Sequence, residues 1–175
     1  MNAPSDAVPS RTQVKPKGRL RHIALNVPDP WQAAEFYMNA FGMEKVGESE
    51  SSLAVGIYLT DGIMNLALLH YKTDEAAGTD RGKGFVGIHH MGFWVDDLEA
   101  TRAAVESAGG CWWMGEPANA GNAFYEVKYR DPNRIVIDLT ETGWGGASKD
   151  PTPQGSAPGL RHANMVADRS VIAKG

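Results

Sequence analysis

Three residues of this sequence have the types and placement for shared chemistry: His22, His90 and Asp138. Neutral imidazole nitrogens and a carboxylate oxygen are ligands for a divalent transition metal, and a set of three leaves coordination positions open for substrate. The two histidines occupy equivalent places in an internal repeat. HIALNVPD at 22–29 returns as HMGFWVDD at 90–97, an offset of 68 residues (22 to 90) that also carries Gly42 onto Gly110. Glu126 and Lys128 alternate with Val127 and fall on the same strand face as Phe124, where they could serve as a general base and an anion stabiliser; the plainer reading is a surface ion pair. Asn26 and Trp94 are candidates to line a pocket for a planar substrate, although Trp94 could equally fill core. His70 has the parity of a helix-facing residue, and only a bulge would turn it inward as a further ligand. His89 reads as an edge or solvent residue, and His162 lies in the tail.

These side chains must be positioned by strands, and the pattern supplies them. Asp29 and Asp97 stand where a strand gives way to a helix and are expected to accept from free N–H groups there as N-caps. Pro30 follows at the favoured first helical position, with Gln32 placed to complete a capping box. Gly42 and Gly110 are expected in the left-handed conformation that ends each helix. Ala33, Phe36, Tyr37 and Ala40 share one face of the first helix, and Leu98, Thr101, Val105 and Ala108 share one face of the second. Strand character follows each helix, over 44–48, 53–59 and 63–71 in the first copy and 111–114, 123–130 and 134–140 in the second. Asp61-Gly62 and Asp131-Pro132-Asn133 suit the tight turns between them.

Alternation then separates the faces. Ile23, Leu25 and Val27, with Leu66 and Leu68, cover the first helix, which leaves His22, Ala24, Asn26, Asn65, Ala67 and Leu69 on the other side. Met91, Phe93 and Val95, with Ile135, Ile137 and Leu139, do the same in the second copy. His90, Gly92, Trp94, Val136, Asp138 and Thr140 are left opposite, and Tyr125 and Tyr129 fall on the helix side. The fold class expected is α+β: two tandem βαβββ modules forming a half-open, barrel-like curved sheet around one pocket. The modules span 19–80 and 81–143, within one domain over 19–143. Residues 1–18, rich in Pro, Ser and Lys, and 144–175, with a Gly-, Ser- and Pro-rich stretch, read as flexible extensions or as arms that lie on a partner subunit. Gly82-Lys83-Gly84 belongs to the linker between modules, and Trp31, Trp112, Trp113 and Trp144 read as packing or dimer contacts.

Composition narrows the partners. Apolar residues at 42% and charged residues at 22% are ordinary for a globular domain, and a formal charge of −4 gives no basic footprint for nucleic acid. No apolar run has the length a membrane span needs, residues 1–18 hold no hydrophobic stretch and are not expected to be a secretory signal, and a lone cysteine fits an expected cytoplasmic location. The single Cys111 cannot form an internal disulfide and reads as a small core residue.

The βαβββ repeat, the strand-opening His22 and His90, Phe36-Tyr37 in the first helix, and Asp131-Pro132 before a strand with an acidic residue together resemble the vicinal oxygen chelate superfamily. That group holds glyoxalases, epimerases, extradiol dioxygenases and metal-free bleomycin resistance proteins. The resemblance covers about 19–143 and places the four metal positions on His22, Ala67, His90 and Asp138, of which alanine cannot bind. The stretch from His89 to Asp97 is most similar to methylmalonyl-CoA epimerase, but Ala67 and Gly56 stand where that family carries a ligand and a catalytic glutamate. A set of two histidines and one carboxylate resembles extradiol dioxygenases in leaving the fourth place without a ligand. The resemblance therefore implies a metal-dependent enzyme acting on a small molecule, with Fe(II) dioxygenase chemistry on an aromatic or enediol substrate expected first. A glyoxalase-type lyase or isomerase using Mn, Ni, Co or Zn is the alternative, and a metal-free binding protein a further one. A homodimer is the expected assembly.

Overall fold

The computed structural model describes residues 17–78, 80–115 and 126–152. Strand β1 (Gly18–Asn26) leads into helix α1 (Pro30–Phe41) and then β2 (Glu44–Glu50), β3 (Ala54–Thr60) and β4 (Asn65–Tyr71). A short helix α2 (Asp74–Ala77) precedes the second copy: β5 (Gly87–Val95), α3 (Leu98–Ser107), β6 (Cys111–Met114), β7 (Val127–Arg130) and β8 (Val136–Thr140). Of the strand expected over 123–130, residues 123–125 lie outside the described residues, and with them Phe124 and Tyr125.

All eight strands form one curved, unclosed sheet in the order β2-β3-β4-β1-β5-β8-β7-β6. The two first strands of the modules, β1 and β5, meet antiparallel at its centre, and each runs parallel to the last strand of its own module, β4 or β8. The register makes the repeat quantitative. Ala24 faces Ala67 across β1 and β4, and its repeat mate Gly92 faces Asp138 across β5 and β8. One strand further out, Tyr58 faces Ala67 and Lys128 faces Asp138. Ala67 and Asp138 are thus equivalent, as are Tyr58 and Lys128. Two residues earlier on each strand, Gly56 is the mate of Glu126.

Local chemistry ends the helices. The Asp29 carboxylate accepts from the N–H groups of Trp31 and Gln32, Pro30 opens α1, and Gly42 closes it at φ 68°. Asp97 accepts from the N–H of Ala100 at the start of α3. The left-handed residue after α3 is Gly109 (φ +92°), one position before the expected Gly110, whose N–H instead donates to the Val105 carbonyl. The face of α1 is also rotated from the expected one. Ala34 is buried beside Ile57, Leu59 and Leu68, with Ala33, Tyr37 and Met38 packed against them, while Phe36 is 59% exposed. Under α3, Val95, Val127, Tyr129 and Leu139 form the matching core with Leu98 and Val105, so Tyr129 packs on the helix side as its parity requires. Cys111 is exposed at the sheet edge rather than in the core. No helix among the described residues is long and apolar enough to cross a membrane.

Candidate metal centre

Removing the helix-facing residues leaves a polar patch where the two modules meet. His22 on β1, His90 on β5 and Asp138 on β8 are buried, and one ligand atom from each falls within 4.8 Å of the others. The Nε2 atoms of the two histidines are 3.3 Å apart, and His90 Nε2 is 3.2 Å from Asp138 Oδ2. The three strands are neighbours through β1–β5 and β5–β8 pairing, so the backbone itself sets these distances.

Two hydrogen-bond chains decide which ring nitrogens carry protons. Asn65 donates its Nδ2 to the Gly145 carbonyl, which leaves Oδ1 to accept from His22 Nδ1 at 2.8 Å. On the other side, His89 Nε2 lies 2.7 Å from the Ala77 carbonyl and must be its donor, so neutral His89 presents a bare Nδ1. That Nδ1 is 2.8 Å from His90 Nδ1, which therefore donates to it. The Nε2 atoms of His22 and His90 are both left as lone pairs. Burial, with Lys128 adding to it, lowers the basicity of His22, His89 and His90 and so favours their neutral forms. Two nitrogen lone pairs converge on the Asp138 carboxyl, whose Oδ2 also contacts Lys128 Nζ, and a divalent cation can bridge such a donor set. Asp138 Oδ1 is also buried with no hydrogen-bond partner among the described residues. The donor set fits a divalent metal, and its orienting partners are of the kind that fix the ligand tautomers at such sites.

The acidic and basic candidates lie in the same patch. Lys128 Nζ contacts Asp138 Oδ2 and lies 3.0 Å from Glu126 Oε2. Burial disfavours its charge, but Asp138 and Glu126 outweigh this and raise its pKa above that of an ordinary lysine. Burial likewise pushes the Glu126 carboxyl up, yet the Lys128 ammonium, a hydrogen bond with the Asp138 carboxyl and the Trp144 indole N–H hold it down at about 2. Asp138 is pushed up by burial and by Glu126, against the pull of Lys128.

The remaining expected residues fall elsewhere. Asn26 is buried, but its Nδ2 donates to the carbonyls of Lys83 and Phe85 and so ties down the linker between the modules. The Trp94 indole donates to the Glu141 carbonyl, and Gly143 packs against its ring. His70 keeps its parity in an unbroken β3–β4 register, 3.2 Å from the Val27 carbonyl, and supplies no ligand. Ala67 is enclosed by Ala24, Leu69 and Tyr71, which makes the fourth position apolar. His162 lies outside the described residues.

Two participants are not evident from the sequence pattern. His89 is the extra residue of a bulge: Ala24 pairs with His90 and Leu25 with Ile88, so β5 carries one more residue than β1 there. The bulge breaks the alternation that would send His89 away from His90. Trp144 stacks on the His22 ring, with centroids 4.8 Å apart and planes 7° from parallel. It belongs to a strap after β8, anchored where Thr60 donates to the Gly146 carbonyl, Arg21 to the Ser148 carbonyl and Arg19 to Asp150.

Comparison with known proteins identifies the family and the fold. The family model described as Glyoxalase/Bleomycin resistance protein/Dioxygenase superfamily matches residues 19–139. The chain is 35% identical to an ethylmalonyl-CoA/methylmalonyl-CoA epimerase of Cereibacter sphaeroides, over 71% of this chain and 98% of that protein. It is 25% identical to a probable lactoylglutathione lyase of Vibrio parahaemolyticus, over 71% and 91%. Among solved structures, a Streptomyces coelicolor methylmalonyl-CoA epimerase variant with 2-nitronate-propionyl-CoA superposes with a TM-score of 0.57 at 21% identity. That match covers 69% of this chain and 94% of the other, and shows a shared fold.

Proposed function

Because this chain belongs to the Glyoxalase/Bleomycin resistance protein/Dioxygenase superfamily, we propose that it is a divalent-metal isomerase of epimerase type. It would move a proton on the carbon beside a carbonyl of a small acyl substrate. The identity with an ethylmalonyl-CoA/methylmalonyl-CoA epimerase supports this class over oxygen chemistry, and suggests a coenzyme A thioester as the substrate class. A divalent cation on His22, His90 and Asp138 would supply Lewis acidity towards the substrate's oxygens.

The carrying observation is that Glu126, the repeat mate of Gly56, stands beside the metal ligands with Lys128 on its carboxylate. The carboxylate absent from the first module thus has a counterpart in the second. Glu126 takes the proton as the C–H bond breaks, and the electron pair moves onto the carbonyl oxygen. Lys128 is the nearby ammonium that holds this charge. As it turns towards the new anion its grip on Glu126 loosens, which strengthens the base while the proton moves. Return of a proton from Glu126, after its exchange with solvent, restores the C–H bond on the same face, and inversion follows when the planar anion turns before it is reprotonated.

Incubation in D2O with methylmalonyl-CoA or ethylmalonyl-CoA, followed by proton NMR, tests the reading. Loss of the signal from the hydrogen beside the carbonyl is expected for the metal-loaded protein and is expected to fall about a hundredfold or more in Glu126→Gln. No exchange with either thioester, or with a glutathione hemithioacetal, overturns it. The apolar fourth position at Ala67 favours a second reading, Fe(II)-dependent oxygen chemistry, because it leaves an open coordination place. Oxygen uptake with catechols by the anaerobically iron-loaded protein would select that reading instead.

A further inference from the structure

The metal centre shares a wall with a cavity that the reaction does not use. Arg81, Arg130, Arg134, Asp80, Trp113 and His89 line it, and its volume is about 210 Å3. Its inner end abuts the metal ligands, since His89 hydrogen bonds to His90 and Val136, also in the lining, faces His90 across β5 and β8.

The charge there runs against that of the whole protein. Among the described residues of the lining, three guanidinium groups meet a single carboxylate, in a chain whose formal charge is −4. Asp80 is shared between Arg130 at 3.0 Å and Arg134 at 2.9 Å. Arg81 pairs with no carboxylate among the described residues; one nitrogen donates to the Ile88 carbonyl, and its plane lies over the Phe85 ring. The Arg130 guanidinium lies 4.6 Å from the Trp113 ring, and its buried Nε has no hydrogen-bond partner among the described residues. An internal ion-pair network would balance its charges and donors; this group has cations and N–H donors in excess.

Backbone strain marks the same place. Arg134 is the one non-glycine among the described residues with a left-handed φ, at 70°. It is held so by the Asp131 carboxylate, which accepts from the N–H groups of Asn133 and Ile135 on either side. Strain of this kind persists where the surroundings over-determine it, and it is enriched at ligand clamps.

We infer that this cavity binds an anionic group of the substrate, a phosphoryl or carboxylate group, while the reacting carbonyl lies at His22, His90 and Asp138. Planar guanidinium forks match the oxygens of either group with paired N–H donors. The inference rests on the proposed function only in assigning the anion to the substrate.

Calorimetric titration of the full chain, stripped of metal so that chelation does not intrude, tests it with inorganic pyrophosphate and with malonate as probes. At least one probe is expected to bind, with affinity falling about tenfold or more in both Arg134→Gln and Arg81→Gln. Tighter pyrophosphate binding assigns a phosphoryl group and tighter malonate binding a carboxylate. Mn2+ affinity measured on the same variants is expected to match the wild type. Failure of both probes to bind, or equal affinity in wild type and variants, overturns the inference. Absence of Mn2+ binding alongside intact anion binding would instead overturn the metal centre alone.

Discussion

His89 Nδ1 lies 2.8 Å from His90 Nδ1, and that contact sets the proton of a candidate metal ligand. Because the Ala77 carbonyl claims the other nitrogen of His89, His90 is forced to present its Nε2 lone pair to His22 and Asp138. Replacing His89 by Ala releases that constraint without touching a ligand. Divalent metal affinity is expected to fall about tenfold to a hundredfold, with the far-UV spectrum unchanged. His89→Gln, whose amide oxygen can accept from His90 Nδ1, is expected to recover part of the loss. Competition against a fluorescent chelator measures both.

Lys128 faces the carboxylates of Asp138 and Glu126 with one ammonium. Lys128→Met leaves two buried acids without their cation, a change that costs about 3–5 kcal/mol in comparable settings. A bound divalent metal would replace the missing charge. Chemical denaturation is therefore expected to show a large loss for the metal-free variant and a much smaller one when Mn2+ is present. Equal losses in both conditions would mean that Lys128 and the metal do not share an electrostatic role.

Trp144 roofs His22, and its ring fills the space above Gly92, where a Cβ would collide with it. Trp144→Ala removes a buried aromatic that is 5% exposed and should lower stability by about 3 kcal/mol. Gly92→Ala should displace the same ring by a different route and raise the solvent accessibility of the indole, read by acrylamide quenching of its fluorescence.

The strap that carries Trp144 is held by charge. Hydrogen bonds from Lys149 and then Arg19 hold the Asp96 carboxyl down at about 2, against burial. A folded-state value below the ordinary carboxylate range contributes stability that is present above that range and is lost as pH falls towards about 2. Amide exchange across 144–152 should therefore be slow near pH 6 and lose protection near pH 3 beyond the intrinsic pH effect. Asp96→Asn should show little such difference between the two.

Much of this arrangement is legible in the sequence because it rests on periodicity. The offset between His22 and His90 pairs the two modules, and strict alternation along β1, β4, β5 and β8 carries His22, Ala67, His90 and Asp138 to one face. What escapes is whatever breaks a period. His89 is turned inward by a bulge, which a pattern of two cannot register. Phe36 has the spacing of a core residue, but α1 is rolled so that Ala34 faces β3 and β4 while Phe36 meets Tyr37 and Phe41 at the surface. Trp144 sits in a stretch whose Gly, Ser and Pro content reads as a loose extension. It is fixed instead by hydrogen bonds between strap carbonyls and Asn65, Thr60 and Arg21, which no local composition reveals.

Convergence of His22, His90 and Asp138 on a divalent cation is tested most directly by metal content. Elemental analysis after loading with Mn2+ or Co2+ and exhaustive dialysis should find about one equivalent per chain in the wild type. His22→Ala, His90→Ala and Asp138→Ala should each retain only background metal while keeping a wild-type circular dichroism spectrum, and Ala67→Glu should hold metal more tightly by adding a fourth ligand. Wild-type protein that retains no metal, or histidine variants that keep a full equivalent, would contradict the account.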